Sequence, residues 1–166
     1  MFHSKEIAII KDELTARQQT IAVAESVTAG LLQSALASAE EASKFFQGGL
    51  TAYNLGQKCR HLNINPIQAE ACNCVSEGMA KDMALQICNV FISDWGIGIT
   101  GYATPVPQSD DQRFAYYAIA FRGEVKLAQK IETAEEDGQK VQLMYVNTIM
   151  DELAALVKNE NANRPD

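Results

Sequence analysis

Apolar positions along the chain follow two rhythms, one helical and one that of short buried strands. From Lys5 to Gln18, residues Ile7, Ile10, Leu14 and Ala16 fall near one face, with Lys5, Lys11, Asp12 and Arg17 mostly elsewhere. That spacing predicts an amphipathic helix. Thr20–Ala24 is a short apolar run and predicts a first strand. Helical spacing returns over Gly30–Ala39, followed by a polar connection at Glu40–Ser43. Phe45–Tyr53 reads as a second strand, in which Gly48 and Gly49 mark a bulge or a close backbone approach. Asn54 is a good cap for a short helix to about Leu62, and Asn63-Ile64-Asn65-Pro66 reads as a turn. Ser76 opens a long helix that places Met79, Ala80, Met83, Ala84, Ile87 and Val90 on one side. Trp95–Thr100 is a third strand, followed by a loop from Gly101 to about Gln112. Phe114–Phe121 and Val125–Ile131 predict a hairpin turned at Arg122-Gly123, and a final helix runs from about Gly138 to Val157. The tail, Asn159–Asp166, is expected to fray.

Strands alternating with helices predict a three-layer α/β/α sandwich, and the late hairpin makes its sheet mixed. A length of 166 residues suits one domain with a real core. The formal net charge of −7 gives the chain no general attraction for nucleic acid or an anionic membrane surface. No apolar run approaches the roughly 20 residues needed to span a bilayer. The N-terminus, Met1-Phe2-His3-Ser4-Lys5-Glu6, lacks the pattern of a secretory signal, so a cytoplasmic protein is expected. In that compartment Cys59, Cys72, Cys74 and Cys88 are expected to be reduced thiols. The C-x-C pair Cys72/Cys74 is a weak redox signal. With His3 and His61 far apart in sequence, no metal site is expected.

The chemistry centres on Ala24-Glu25-Ser26-Val27-Thr28-Ala29-Gly30, where a strand gives way to a helix. The first amides of a helix have no partner within it, and its dipole adds positive charge there, so anions bind well at such an end. Ser26 or Thr28 can be a simple N-cap. Alternatively, Ser26 can be a nucleophile if a base removes its proton. Two further stretches, Tyr53-Asn54-Leu55-Gly56-Gln57-Lys58 and Thr100-Gly101-Tyr102-Ala103-Thr104-Pro105, also lie at C-terminal ends of predicted strands. Open α/β sheets bind their ligands at those ends.

Taken together, these stretches resemble the CinA C-terminal domain family, the nicotinamide mononucleotide deamidases. The likeness rests on the Ala24–Gly30 turn, on Gly48-Gly49-Leu50-Thr51-Ala52-Tyr53 followed by Lys58, on Val75-Ser76-Glu77-Gly78-Met79-Ala80-Lys81-Asp82-Met83-Ala84, and on the Thr100 loop. It covers nearly the whole chain. The resemblance implies a mixed five-stranded α/β/α fold and hydrolysis of the carboxamide of nicotinamide mononucleotide to nicotinate mononucleotide and ammonia. That reaction belongs to pyridine nucleotide salvage and NAD metabolism, and it needs no metal or cofactor. The resemblance makes Ser26 the nucleophile and Lys58 the general base, with Tyr53 assisting. Thr28, Ala29, Gly30, Gly49, Thr100, Gly101 and Ala103 would surround the substrate. A lysine acts as a base only when neutral, which requires burial or nearby positive charge.

The chain departs from the family pattern in its ligand loops. Val27 stands for a Cys, Ala29 and Thr104 for glycines, and Val106-Pro107-Gln108-Ser109 for a glycine pair, while Tyr116 falls where the family has Gly. Tyr116 and Thr104 are therefore expected to narrow the pocket. Two readings follow: an amidohydrolase acting on a small nucleotide amide, or a non-catalytic paralogue that keeps the fold and binds a nucleotide or a protein. A homo-oligomer is compatible with either.

Overall fold

In Trp95–Tyr102, which forms β3, large apolar side chains alternate with glycines, and this alternation sets the spacing of the layers. Trp95, Ile97 and Ile99 point to one face of the sheet and are fully buried there. Gly96 and Gly98 point to the other, where helix α5 (Glu77–Phe91) lies almost on the strand backbone. A Cβ on Gly98 would stand 2.3 Å from the Ala80 carbonyl oxygen and 2.6 Å from the Ala84 amide. The small residues Ala80 and Ala84 complete this close approach.

The computed structural model describes residues 1–162. Around β3 the chain runs α1 (Ser4–Ala16), β1 (Ile21–Glu25), α2 (Leu31–Ala37), β2 (Phe46–Thr51), α3 (Leu55–Leu62), α4 (Pro66–Ala71), α5, β3, β4 (Arg113–Phe121), β5 (Glu124–Thr133) and α6 (Gly138–Ala162). Short 3-10 turns occupy Ala42–Lys44 and Pro107–Ser109. The five-stranded sheet has the order β2-β1-β3-β4-β5. The β1 strand is parallel to both β2 and β3, while β4 and β5 form an antiparallel hairpin, so the sheet is mixed. One face packs against α1, α2 and α6 through Ile10, Leu14, Leu32, Tyr145 and Ile149. The other packs against α3, α4 and α5 through Leu62, Ala69, Met83 and Ile87. This is the expected α/β/α sandwich. All four cysteines are free thiols, and no described helix is long and apolar enough to cross a membrane.

Several boundaries differ from the sequence expectation. Helix α4 was not anticipated, because Asn63–Pro66 read as a turn. In fact Asn65 caps the helix by accepting from the amides of Ile67 and Gln68, and Pro66 opens it, where its missing N–H costs nothing. Strand β3 continues to Tyr102, and α6 runs through Ala162 rather than fraying at Asn159, while residues 163–166 lie outside the described residues. Helix α2 begins at Leu31, so Ser26–Gly30 is a turn of its own between strand and helix.

Candidate active site

That turn is held by a residue the sequence reading passed over. Glu25, the last residue of β1, is fully buried, and its carboxylate turns back under the start of α2. Oε2 accepts from Thr28 Oγ1 at 2.6 Å, from the Gly30 amide at 3.1 Å and from the Leu32 amide at 3.0 Å. Oε1 accepts from the Gln33 amide at 2.8 Å. The free amides of the helix start are thus satisfied by a side chain of the protein itself. Neither Ser26 nor Thr28 is the helix cap; Gly30 is, with φ of 103°. Ala29 also adopts the left-handed region, at φ 50°, a conformation that glycine takes without strain and alanine does not. The signal that could have found Glu25 was its position: an acidic residue closing an otherwise apolar strand, just before a helix.

With the turn fixed, Ser26 faces α3. Lys58 Nζ lies 2.9 Å from Ser26 Oγ and donates to the Ala52 carbonyl at 2.7 Å. Asn54, capping α3 through the Gln57 amide, sets the helix that delivers Lys58. Lys58 is 1% exposed, and among the described residues no carboxylate pairs with it. Burial pushes its pKa below the ordinary 10.5 for lysine, opposed only by attraction to the Cys74 thiol. Burial in turn raises the Cys74 pKa above the usual 9.0. Ser26 is itself buried, at 7% exposure, so the serine–lysine contact lies largely out of solvent. The amides of Val27 and Thr28 find no acceptor among the described residues.

The remaining candidates separate into wall and support. Tyr53 is 67% exposed, its hydroxyl bonds to neither Ser26 nor Lys58, and its ring lines a cleft of about 600 Å³ beside Val27. Gly101, Ala103 and Thr104 line the same cleft. Thr28 and Thr100 are buried supports: Thr28 donates to Glu25, and Thr100 Oγ1 donates to the Cys74 carbonyl at 2.7 Å. Gly49 is a packing position, because a Cβ there would stand 2.5 Å from the Val23 carbonyl oxygen. Tyr116, expected to narrow the pocket, lies away from this cleft. Its side chain joins Ala118 and Ala120 on the α5 face of β4, its ring meets Phe114 edge-on at 5.9 Å, and it does not line the cleft. Gln142, which the sequence reading missed, donates to the Val27 carbonyl at 2.7 Å and ties the Ser26 turn to α6.

The family model for the CinA C-terminal domain matches residues 4–157. The chain belongs to that family. A CinA-like protein of Picosynechococcus is 45% identical over 103 residues, which is 62% of this chain and 24% of that protein. A CinA-like protein of Prochlorococcus marinus is 31% identical over 153 residues, covering 90% of this chain and 36% of that protein. This CinA-family chain therefore spans about a quarter to a third of the length of these relatives. The crystal structure of a competence or damage-inducible protein from Enterobacter asburiae superposes with a TM-score of 0.88 at 27% identity, covering 95% of this chain and 99% of that one.

Away from the cleft, His3, Glu6 and Asp151 bring a ring nitrogen and two carboxylates within 4.8 Å of one another on the α1–α6 surface. His3 Nδ1 and Asp151 Oδ1 already pair there at 2.8 Å, in solvent. The sequence, with its two distant histidines, gave no hint of this group.

Proposed function

We propose that the chain is a serine amidohydrolase that releases ammonia from a small linear carboxamide, with Ser26 as nucleophile and Lys58 as base. The family resemblance points to the carboxamide of a nicotinamide nucleotide. The observation that carries the reading is the 2.9 Å contact between the Ser26 hydroxyl and a buried lysine with no carboxylate partner among the described residues. Bound to Ala52 O through one hydrogen, a neutral Lys58 amine presents its lone pair to Ser26 Oγ–H.

The steps then balance. Lys58 takes the Ser26 proton as Oγ attacks the amide carbon, and the oxyanion meets the amides of Val27 and Thr28. The C–N bond breaks as Lys58 returns the proton to the departing nitrogen, which leaves as ammonia. Water then attacks the acyl-serine with Lys58 as base, and the carboxylate and free Ser26 are regenerated. Glu25 and Gln142 hold the turn that aims Oγ and the two amides.

Ammonia release from nicotinamide mononucleotide and related pyridine carboxamides tests this reading. Ser26→Ala is expected to lose activity by at least about 10³-fold, as removal of a nucleophile does in serine hydrolases. Activity that survives Ser26→Ala removes Ser26 from the chemistry. No ammonia from any carboxamide, with the fold intact by circular dichroism, favours a non-catalytic paralogue instead.

A further inference from the structure

The α1–α6 surface carries a group of side chains that the chemistry at Ser26 does not use. His3, Glu6 and Asp151 each offer a ligand atom, and the three atoms lie within 4.8 Å of one another. Two stand at the start of α1 and the third in the middle of α6, so 148 positions of chain separate His3 from Asp151. An imidazole supplies nitrogen. Two carboxylates supply oxygen, with the two negative charges that match a divalent cation.

The group is held in place by residues outside it. The His3 amide donates to Asn147 Oδ1 at 3.0 Å, and Asn147 Nδ2 donates to the Met1 carbonyl at 3.1 Å. The His3 carbonyl accepts from the Ile7 amide at 3.2 Å. His3 stands at the N-cap of α1, yet its side chain makes no capping bond. The ring turns across to α6 instead, where Nδ1 meets Asp151 Oδ1 at 2.8 Å. That pair alone contributes little, because its side chains are 46% and 49% exposed. The same three residues line a hollow of about 790 Å³, which leaves room for water to complete the coordination of an ion.

The neighbours select the class of ion. Lys5 and Lys158 line the hollow too, and they oppose a cation held by charge alone. Calcium takes about 6–8 oxygen ligands, and magnesium prefers an octahedron of oxygens, so neither suits one ring nitrogen and two carboxylates. A nitrogen-preferring ion gains a coordinate bond to the imidazole that the lysines do not cancel. We propose that His3, Glu6 and Asp151 form a surface site for one divalent transition ion of the zinc or nickel class, which ties the start of α1 to α6. The inference is independent of the amidase reading and gives the ion no part in the chemistry at Ser26.

The test titrates the intact protein with zinc or nickel chloride, with magnesium chloride as the contrast. Calorimetry should find one saturable ion per chain. At about a hundredfold excess over Kd the ion should raise Tm by roughly 5–10 °C. Hydrogen exchange in the first turn of α1 should slow when zinc is added, as a clamp to α6 requires. Magnesium should do none of this. Loss of an outer partner of a metal site costs about 10–100-fold in affinity, so loss of a ligand should cost at least about tenfold. That loss is expected for His3→Ala, Glu6→Gln and Asp151→Asn, with the fold intact by circular dichroism. Zinc binding unchanged in His3→Ala places the ion elsewhere, as on the cysteine thiols, and overturns the site. Binding lost in His3→Ala but unchanged in both carboxylate variants overturns the three-ligand set. No saturable heat from either transition ion overturns the proposal outright, and equal binding of magnesium overturns the class of ion.

Discussion

Replacing Glu25 by alanine removes the carboxylate that ties the Ser26 turn to the start of α2. It strands four donors at once: the Thr28 hydroxyl and the amides of Gly30, Leu32 and Gln33. Each hydrogen bond to a charged group is worth roughly 1.5–3 kcal/mol net, and each buried donor left unpaired costs about 1–3 kcal/mol. These terms do not add, because relaxation and water recover part of them. The comparable measured case, removal of one partner from a buried charged network, costs roughly 3–5 kcal/mol. We therefore expect Glu25→Ala to lose about 3–5 kcal/mol, a large part of a total stability on the order of 5–15 kcal/mol. In a chain of this size that corresponds to a fall in Tm of about 6–20 °C. Two smaller changes test the assignment. Thr28→Val removes only the hydroxyl donor and should cost about 1–2 kcal/mol. Glu25→Gln keeps an acceptor but turns an amide N–H₂ toward one of the donors, and it should fall between the other two. Urea unfolding followed by far-ultraviolet circular dichroism gives all three values. A loss below about 1 kcal/mol for Glu25→Ala would show that the carboxylate does not organise this turn.

Lys58 makes a prediction with a definite sign. Its folded-state pKa lies below 10.5, so between that lowered value and 10.5 the unfolded chain binds the extra proton. The site's contribution to stability therefore rises with pH across that window. Lys58→Met should abolish this rise, so the difference in urea midpoint between wild type and variant should change in favour of wild type as pH increases. A pH-independent difference would count against a depressed Lys58. The same depression makes activity climb with pH through the lowered pKa and then level off, as the amine loses its proton; a profile that falls over this range would exclude Lys58 as the base. At the layer contact, Gly98→Ala sets a Cβ against the backbone of α5. Overpacking costs about 1–3 kcal/mol even where flexible side chains can give way, so the backbone contact should place this variant at the top of that range or above it. An unchanged Tm would refute the close approach of strand and helix.

Much of this was legible beforehand. The strands and the long helices declared themselves because a buried face forces apolar residues to recur at a period of 2 or 3.6. The caps Asn54 and Ser76 were visible as well, since a cap is a local hydrogen bond within three residues and needs no tertiary partner. Helix α4 had equally local signals in Asn65 and Pro66, but a short helix between a turn and a cap has too few residues to display a period.

The site divides along the same line. The sequence by itself determined that Ser26, Tyr53 and the Thr100 loop lie at the same end of the sheet, because parallel strands end together. It also determined which residue types stand there. Only the tertiary structure decided what each one touches. Glu25 fills the anion cradle that the sequence left open to a ligand, Thr28 and Thr100 turn inward as supports, Tyr53 stands on the rim, and Tyr116 faces α5. Lys58, one of several lysines on helices, becomes a buried amine 2.9 Å from Ser26 once α3 packs beside α4 and α5. Contacts between residues 32 positions apart, and the burial that moves a pKa, depend on how layers pack against each other, and no local pattern encodes that packing.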